Sequence, residues 1–567
     1  MFVRVRLSLR RAVVASAFVL VQLISSPDAL AQQGTNAGPP LRISYTLSMP
    51  APETHLFEVQ VDVAGLRGNT PLEFQMPRWS PGRYAIFDFA KNVQEARAVT
   101  LCPPGAQCKG RELAVRRLDT QTWSVETADG GASFRYKVFA DDLSGTFSQL
   151  DTRHASFNGG SVFVYVGGHK QDPVTLKIRA PAGWKVANGY TRSPEQTEFA
   201  FPNYDVLIDT PTDVAPDWTM DTFDVDGKTY RVLVHSFGPE GGKRAAFVRD
   251  IEKVVREQVR MMEGAPDYEQ YTFLFHFDPT ARGGDGMEHL NSTQIVSTRA
   301  LADEGAYAGS LSTAAHEFFH VWNVKRLRPA GLGPWDFTRP VVTRGLWIAE
   351  GFTNYYETLS RRRAGVIDDA HLLRNYSGTI TGVENSPGSR LMSAEDSSLL
   401  ASFLDRGSSE QLTNLANTSV SYYPKGEVLG LVLDLLIRAK SQGRASLDDV
   451  MRRMYREFYL ESAKDSYYLK GRAYTPADFE RVVSETAGAD MSWFFERHVR
   501  APEQPPYDEA FAAVGLRLKR TPAKQPHTAG IGFDFRAHPL LRVGYLSTGS
   551  AAQRAGLRQG DVLVTIG

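Results

Sequence analysis

From Leu41 to about Thr222 apolar and polar positions alternate in short runs, LRISYTLSM, HLFEVQVDVAGL, SFRYKVFA and SVFVYVGG, punctuated by Gly, Pro, Asn and Asp. A period of two with turn residues between runs predicts short strands and a β-sandwich-like domain over residues 41–222. Near Tyr230 the period changes. In RAAFVRDIEKVVREQVRMMEG, Phe247, Val248, Ile251, Val254, Val255, Val259 and Met262 share one stripe and Gly264 supplies a stop, which predicts an amphipathic helix. YTFLFHFDP then reads as a strand with Tyr271, Phe273, Phe275 and Phe277 on one face, and His276 on the other as a packed-sheet residue.

Helical spacing dominates the next two hundred or so residues. LSTAAHEFFHVWNVKRL has no Pro or Gly and predicts a buried helix running through Leu327; LWIAEGFTNYYE predicts a second. Ser377 to Val420 is polar with few periodic apolar positions and is expected to be a loop-rich excursion. In SYYPKGEVLGLVLDLLIRAK, Pro424 suits a helix start and Val428, Leu429, Leu431, Val432, Leu435 and Leu436 drive burial. Ser446 with Asp449 forms a near capping box, Thr475-Pro476 opens a further helix that Gly488 can end, and MSWFFERHV packs one more. From about Pro506 the chain returns to short strands and glycine turns, in TAGIGFDF and LRVGYLSTGSAAQRAGLRQGDVLVTIG. The pattern predicts a multi-domain α+β protein: a linker at 32–40, the β-rich domain at 41–222, a mainly helical domain with a small sheet at 223–504, and a small module at 505–567.

The first residues add a compartment. Arg4, Arg6, Arg10 and Arg11 precede an apolar run from Ala12 to Ile24, and Ala29-Leu30-Ala31 offers a small-residue cleavage site. This is the layout of a secretory signal over residues 1–31, too short to span a bilayer, so an exported protein, periplasmic or secreted and without a stable membrane anchor, is expected. With 64 basic and 64 acidic side chains and no basic block, nothing points to a nucleic-acid partner. Cys102 and Cys108, the only cysteines, read in an exported chain as one short-loop disulfide. Their spacing is wrong for a redox pair, and zinc would need two more ligands nearby.

The chemistry concentrates in HEFFH. Four helical steps of about 100° return almost to the same direction, so His316 and His320 can reach one metal ion while Glu317 is turned aside, placed to poise a water. A catalytic zinc needs a third protein ligand and an open position. Glu350 is the candidate: a carboxylate among Trp347, Ile348, Ala349 and Phe352 wants a cation. Glu357, two turns on, can accept the free N–H of a liganding imidazole.

HEFFH followed by W-x-x-E-G-x-T-x-Y-Y resembles the gluzincin zinc metallopeptidases, and in detail the glycyl aminopeptidase family, over Arg42 to the last residue. That resemblance implies a β-rich N-terminal domain, a thermolysin-like catalytic domain and a PDZ domain, with one Zn2+ on His316, His320 and Glu350 and Glu317 as general base. Gly286-Met287-Glu288-His289 is similar to the G-x-M-E-N segment of the aminopeptidase N family, where the Glu holds the substrate's free amine; His289 departs from that pattern. A β-turn with an exposed Glu288 is the plain alternative. Tyr423-Pro424-Lys425-Gly426 matches the Tyr-x-Lys-Gly of related aminopeptidases and gives Tyr423 the role of oxyanion donor, with Tyr422 as its rival. Gly530-Ile531-Gly532-Phe533 resembles a PDZ carboxylate-binding loop, which implies a peptide ligand there. The chain stops at Gly567 before the strands that would close such a domain, as expected of a piece of a longer gene product.

The resemblance thus implies removal of small N-terminal residues such as Gly or Ala from peptides with a free amino end. An endopeptidase of the same fold, or a non-catalytic PDZ peptide-binding protein, are the competing expectations. The aromatic segment MPRWSPGRYAIFDFAKNV also has counterparts in the family, but reads first as a packed turn carrying Trp79 and Tyr84 into a core. His154, His169 and His498 read as structural or surface residues rather than ligands.

Overall fold

The alternating runs of the first domain pack as layers. The computed structural model describes residues 40–565 except 67, 69, 102–109, 128–129, 406–412, 465, 469, 522–529 and 534–538. The leader and both cysteines lie outside the described residues. Seven strands form one sheet in the order Glu198–Phe201, Val174–Arg179, Arg42–Ser48, Leu56–Leu66, Gly130–Phe139, Val93–Thr100 and Glu112–Leu113. One face of it buries Tyr45, Leu47, Phe57, Val59, Val61, Phe134 and Val138. Against that face lie two four-stranded sheets: Phe134 stacks on Phe74 of one at 4.5 Å, and Phe57 meets Phe157 of the other edge to face at 5.9 Å. The sandwich-like reading therefore describes the layers.

A five-stranded sheet begins the second domain. Its strands are β1 (Thr219–Val225), β2 (Lys228–Ser236), β3 (Gln270–Phe277), β4 (Asp285–Glu288) and β5 (Ser292–Ser297), in spatial order β1-β2-β3-β5-β4. β1 belongs to this sheet, pairing with β2 from Thr219, so the division falls between Ala215 and Thr219 and not at residue 222. β2, β3 and β5 run parallel, while β4 is antiparallel to β5 and forms an edge. The aromatic face of β3 is covered by α1 (Arg244–Met261) and α2 (Glu304–Phe319): Phe275 meets Phe247 at 4.9 Å and Tyr271 meets Phe318 at 5.0 Å. The stripe predicted in α1 is the buried one, with Phe247, Ile251, Val254, Val255 and Val259 inside.

Two expectations needed correction. The HEFFH helix does not continue through Leu327; it starts under an Asp303 cap and stops at Phe319, after which the chain turns. The turn is held by polar groups: the Asn323 side-chain amide donates to the carbonyls of Ile348 and Ala349, and the Asn323 backbone carbonyl accepts from His320 Nδ1. The excursion after Ser377 is also less irregular than its polarity suggests. A helix spans Asp369–Asn385, and Ala394–Leu399, Ala401–Leu404 and Leu415–Thr418 are short helices. Asp369–Asn385 buries only Tyr376, Ile380 and Val383, too sparse a stripe to stand out as periodic.

Past Leu346–Ala349, α3 (Gly351–Arg363) and α4 (Tyr422–Lys440) cross in direct backbone contact. A Cβ on Gly351 would collide with Gly426, and a Cβ on Gly426 with the Trp347 carbonyl, so glycine at both positions is what allows the crossing. The predicted capping box of Ser446 with Asp449 is formed, Thr475 forms a second one with Asp478 at the helix start expected there, and Gly488 ends that helix in the left-handed conformation. Among the described residues the last module shows three strands, Ile531–Phe533, Leu541–Leu546 and Val562–Leu563, and it leans on the helical part through Asn417, which bonds Leu546 and Thr548. Among the described residues no helix is long and apolar enough to cross a membrane.

Candidate active site

His316 sits in the last turn of α2 and His320 caps its C-terminus, so both rings leave the helix on the same side. Their Nε2 atoms are 3.0 Å apart. Glu350 lies at the break between Leu346–Ala349 and α3, and its Oε2 is 3.5 Å from His316 Nε2 and 3.3 Å from His320 Nε2. Three donors from two segments thus converge on one point, with Glu350 2% and His320 1% exposed.

The outer nitrogens are committed elsewhere, which fixes which atoms face the focus. His320 Nδ1 donates to the Asn323 carbonyl at 2.8 Å, leaving Nε2 for a metal. His316 Nδ1 faces Glu357 Oε2 at 3.6 Å, and Glu357 is in turn held by Arg361 at 3.0 Å and by Ser312. Two imidazoles and a carboxylate, buried together with their tautomers set, match the donor set of a three-ligand zinc site. The electrostatics agree. Burial opposes ionisation of Glu350, but the neighbouring imidazoles, His320 foremost, outweigh it and hold the carboxyl well below its usual range. Burial likewise opposes charge on His316, and Glu350 and Glu357 overcome it and raise that imidazole.

Glu317 lies between the metal focus and the edge strand, its carboxylate against Gly286 and within 4.8 Å of a His320 ring nitrogen. A Cβ on Gly286 would collide with Glu317 Oε1 and with the Thr313 side chain, so β4 passes against the helix at its glycine. Burial pushes the Glu317 carboxyl up to about 7, against the lowering influence of the two histidines. A carboxyl in that range can take and return a proton near neutrality. Glu288, at the end of β4, is buried, and one donor atom each from Glu288, Glu317 and His320 lie within 4.8 Å of one another. Glu288 is therefore no exposed turn residue. Its neighbour His289 turns out of the cleft to Asp209, 3.0 Å away, inside a buried network with Lys325 and Tyr468.

Of the two tyrosines opening α4, Tyr423 is half-buried with its ring nearly parallel to that of His316, centroids 6.3 Å apart. Tyr422 is fully buried, its ring edge-on to Tyr84 at 6.0 Å. Gly530, Ile531, Gly532 and Phe533 form the start of the terminal small sheet and take no part in this cleft.

Sequence reasoning missed Tyr84 and Arg83. Both lie in the segment expected to be a packed turn, and Trp79 and Tyr84 are indeed buried there. Yet the Tyr84 hydroxyl donates to Glu350 Oε1, the oxygen not facing the histidines. Beside it Arg83 Nη2 makes a buried pair with Asp285 of β4, 2.5 Å to each carboxylate oxygen. The only signal was the unusual density of aromatic, Pro and Gly residues in that segment, which marks a tight packed loop without saying what it packs on.

Residues 44–216 match the Peptidase M61 N-terminal domain and residues 309–429 match the M61 glycyl aminopeptidase model, the second interval holding His316, Glu317, His320, Glu350 and Tyr423. No curated protein sequence matches the chain. Among solved structures, an aminopeptidase N family protein from Idiomarina loihiensis is 27% identical with a TM-score of 0.80, over 92% of this chain and 89% of that one. An M1 zinc metallopeptidase from Deinococcus radiodurans is 15% identical with a TM-score of 0.47, over 83% of this chain and 96% of that one. With the β-rich domain, the two-helix metal focus and the edge strand each in its place, the chain belongs to the M61 glycyl aminopeptidase family, and it is an aminopeptidase.

Proposed function

We propose that the chain is an exported zinc aminopeptidase that removes small residues, Gly or Ala, from the free amino end of peptides. The observation that carries the reading is the convergence of His316, His320 and Glu350 beside an edge strand that brings Glu288 to the same cleft. One Zn2+ held by the two imidazoles and Glu350 supplies Lewis-acid activation of water and of the scissile carbonyl. Glu317 takes a proton from the attacking water as its oxygen bonds the carbonyl carbon, then delivers it to the leaving amine as the C–N bond breaks. Tyr423 donates its O–H to the developing oxyanion; its half-exposed ring beside His316 supports it over buried Tyr422. Glu288 pairs with the substrate ammonium in a site poor in water, which sets the register at one residue ahead of the scissile bond. Met287 and Gly286 offer the strand edge along which the peptide lies.

The sheet with helices packed on it and the zinc ligands on adjoining helices support a thermolysin-like catalytic domain. The three-stranded terminal sheet supports a PDZ-like module whose Gly530–Phe533 loop takes a peptide carboxylate.

The test is a panel of aminoacyl reporters and internally quenched peptides, each with free and blocked amino ends, assayed with and without chelator. Fast release of Gly and Ala, lost on chelation and restored by zinc, is expected. Equal cleavage of blocked and free substrates would replace the reading with an endopeptidase, and full activity in metal-free protein would end it.

A further inference from the structure

A second cluster of metal-binding residues lies on the far face of the same sheet. His235 of β2 and His276 of β3 stand side by side, paired in register on parallel strands, on the face opposite Phe273, Phe275 and Phe277. Across from them the strand Thr212–Ala215 of the first domain brings Asp213, and His154 comes just ahead of the strand Ala155–Phe157 that pairs with it. All four are at most 1% exposed: Asp213 and His154 at 0%, His235 and His276 at 1%.

The group is short of partners. Both carboxylate oxygens of Asp213, Nδ1 of His235, and both ring nitrogens of His276 and of His154 find no hydrogen-bond partner among the described residues. Each such buried polar atom carries a desolvation cost, and natural folds rarely gather several at one point without something to satisfy them. The atoms also converge: one donor each from Asp213, His235 and His276 lie within 4.8 Å of one another. His235 is oriented as a ligand would be. Its Nε2 is engaged by Asp217 Oδ1 at 3.1 Å, while Nδ1 faces Asp213 Oδ2 at 3.4 Å. A carboxylate behind an imidazole is the arrangement that sets the tautomer of a metal-bound histidine. The rings of His154 and His235 are 5.2 Å apart, and those of His154 and His276 6.0 Å.

We propose that Asp213, His235 and His276 bind a second divalent cation, zinc or a similar borderline ion, which clamps the first domain to the catalytic sheet. Two imidazoles and one carboxylate exclude calcium and magnesium, which take oxygen donors, and suit zinc-like ions. His154 or a water completes a four-coordinate shell. Enclosure on every side makes the site structural, since no substrate can reach it. The cluster joins the two domains beside the buried apolar patch of Ala187, Ala215, Leu233 and Leu274, so the ion would add stability that depends on metal concentration.

Metal content of the full chain tests this, measured by plasma mass spectrometry after equilibration with excess zinc and gel filtration. Two zinc ions per wild-type chain are expected, one after His276→Gln, and one in a His316→Gln/His320→Gln variant that keeps only the second site. One ion in the wild type, or a count that His276→Gln does not lower, would overturn the proposal. Should His276→Gln fail to fold, the His316→Gln/His320→Gln variant decides alone: one bound zinc and a zinc-dependent rise in Tm support the site, and no bound zinc refutes it.

Discussion

Glu350 divides its two oxygens between two duties, and that division makes Tyr84 testable. Oε2 faces both imidazoles while Oε1 accepts the Tyr84 hydroxyl, which holds the carboxylate in one orientation and keeps its second oxygen turned away from the two rings. Tyr84→Phe removes a charge-assisted hydrogen bond and little volume. We expect zinc affinity, measured by competition with a chelator, to fall about 10- to 100-fold, as it does when such supporting partners are removed. Affinity and kcat both within twofold of wild type would reduce Tyr84 to packing. Asp205 offers a second residue-scale prediction, on stability. It is fully buried, accepts the Tyr467 hydroxyl at 2.6 Å, and burial pushes its carboxyl from 3.8 up to about 6. Between those values the folded chain keeps a proton that the unfolded chain has released, so stability falls as pH rises from 3.8 to about 6 and stays lower above it. Asp205→Asn keeps the acceptor and cannot ionise. The variant should gain on the order of 3 kcal/mol at pH 7, at about 1.4 kcal/mol per pKa unit, with the gain vanishing below pH 4 in urea melts. A gain independent of pH would mean that the carboxyl does not titrate in that window.

At the scale of elements, the cleft is made where an edge strand and a helix end approach more closely than side chains permit. Gly286 lies on β4 opposite Glu317 with ordinary backbone angles, so its lack of a Cβ is needed for space rather than for conformation. Gly286→Ala should fold with a Tm within a few degrees of wild type, yet lose at least tenfold in kcat/KM as β4 and Glu317 are pushed apart. Unchanged kinetics would show that β4 can shift freely without disturbing Glu317. Close approaches of this kind also mark what could be read beforehand. The spacing of His316 and His320, the carboxylate of Glu350 among apolar neighbours, and Glu357 two turns on were legible because each follows from one helical period. The end of the HEFFH helix was not, because it is set by Asn323 bonding to carbonyls of another segment. The helix over Asp369–Asn385 was hidden for the opposite reason: it is mostly exposed and carries almost no stripe. Tyr84 lies 266 residues from Glu350, and no periodicity connects them. The histidines at 154, 235 and 276 gather only when two sheets meet, and no sequence period connects them.

For the molecule as a whole, the first domain supplies part of the active site. The segment around Trp79 crosses to the helical part, where the Trp79 indole donates to the Asp336 carbonyl at 3.0 Å, and it delivers Arg83 to Asp285 and Tyr84 to Glu350. The Arg83 guanidinium also donates to Thr146 at 2.7 Å, and the Gly145 N–H donates to Asp285 at 3.0 Å, so the pair ties two loops of the first domain to the edge strand. Both side chains are buried, at 8% and 3% exposure, where removing one partner leaves the other charge uncompensated. Arg83→Met should therefore cost about 3–5 kcal/mol in urea unfolding, the range for breaking a buried pair from one side. Removing both charges, in Arg83→Met/Asp285→Asn, should return more than half of that stability, because no lone carboxylate then remains in the interface. Activity should follow a different course. Both variants loosen β4, which carries Glu288, so kcat/KM for an aminoacyl reporter should stay low in the double variant even as stability returns. If activity instead recovered in step with stability, the pair would serve folding alone, and the position of the edge strand would be set by its pairing with β5.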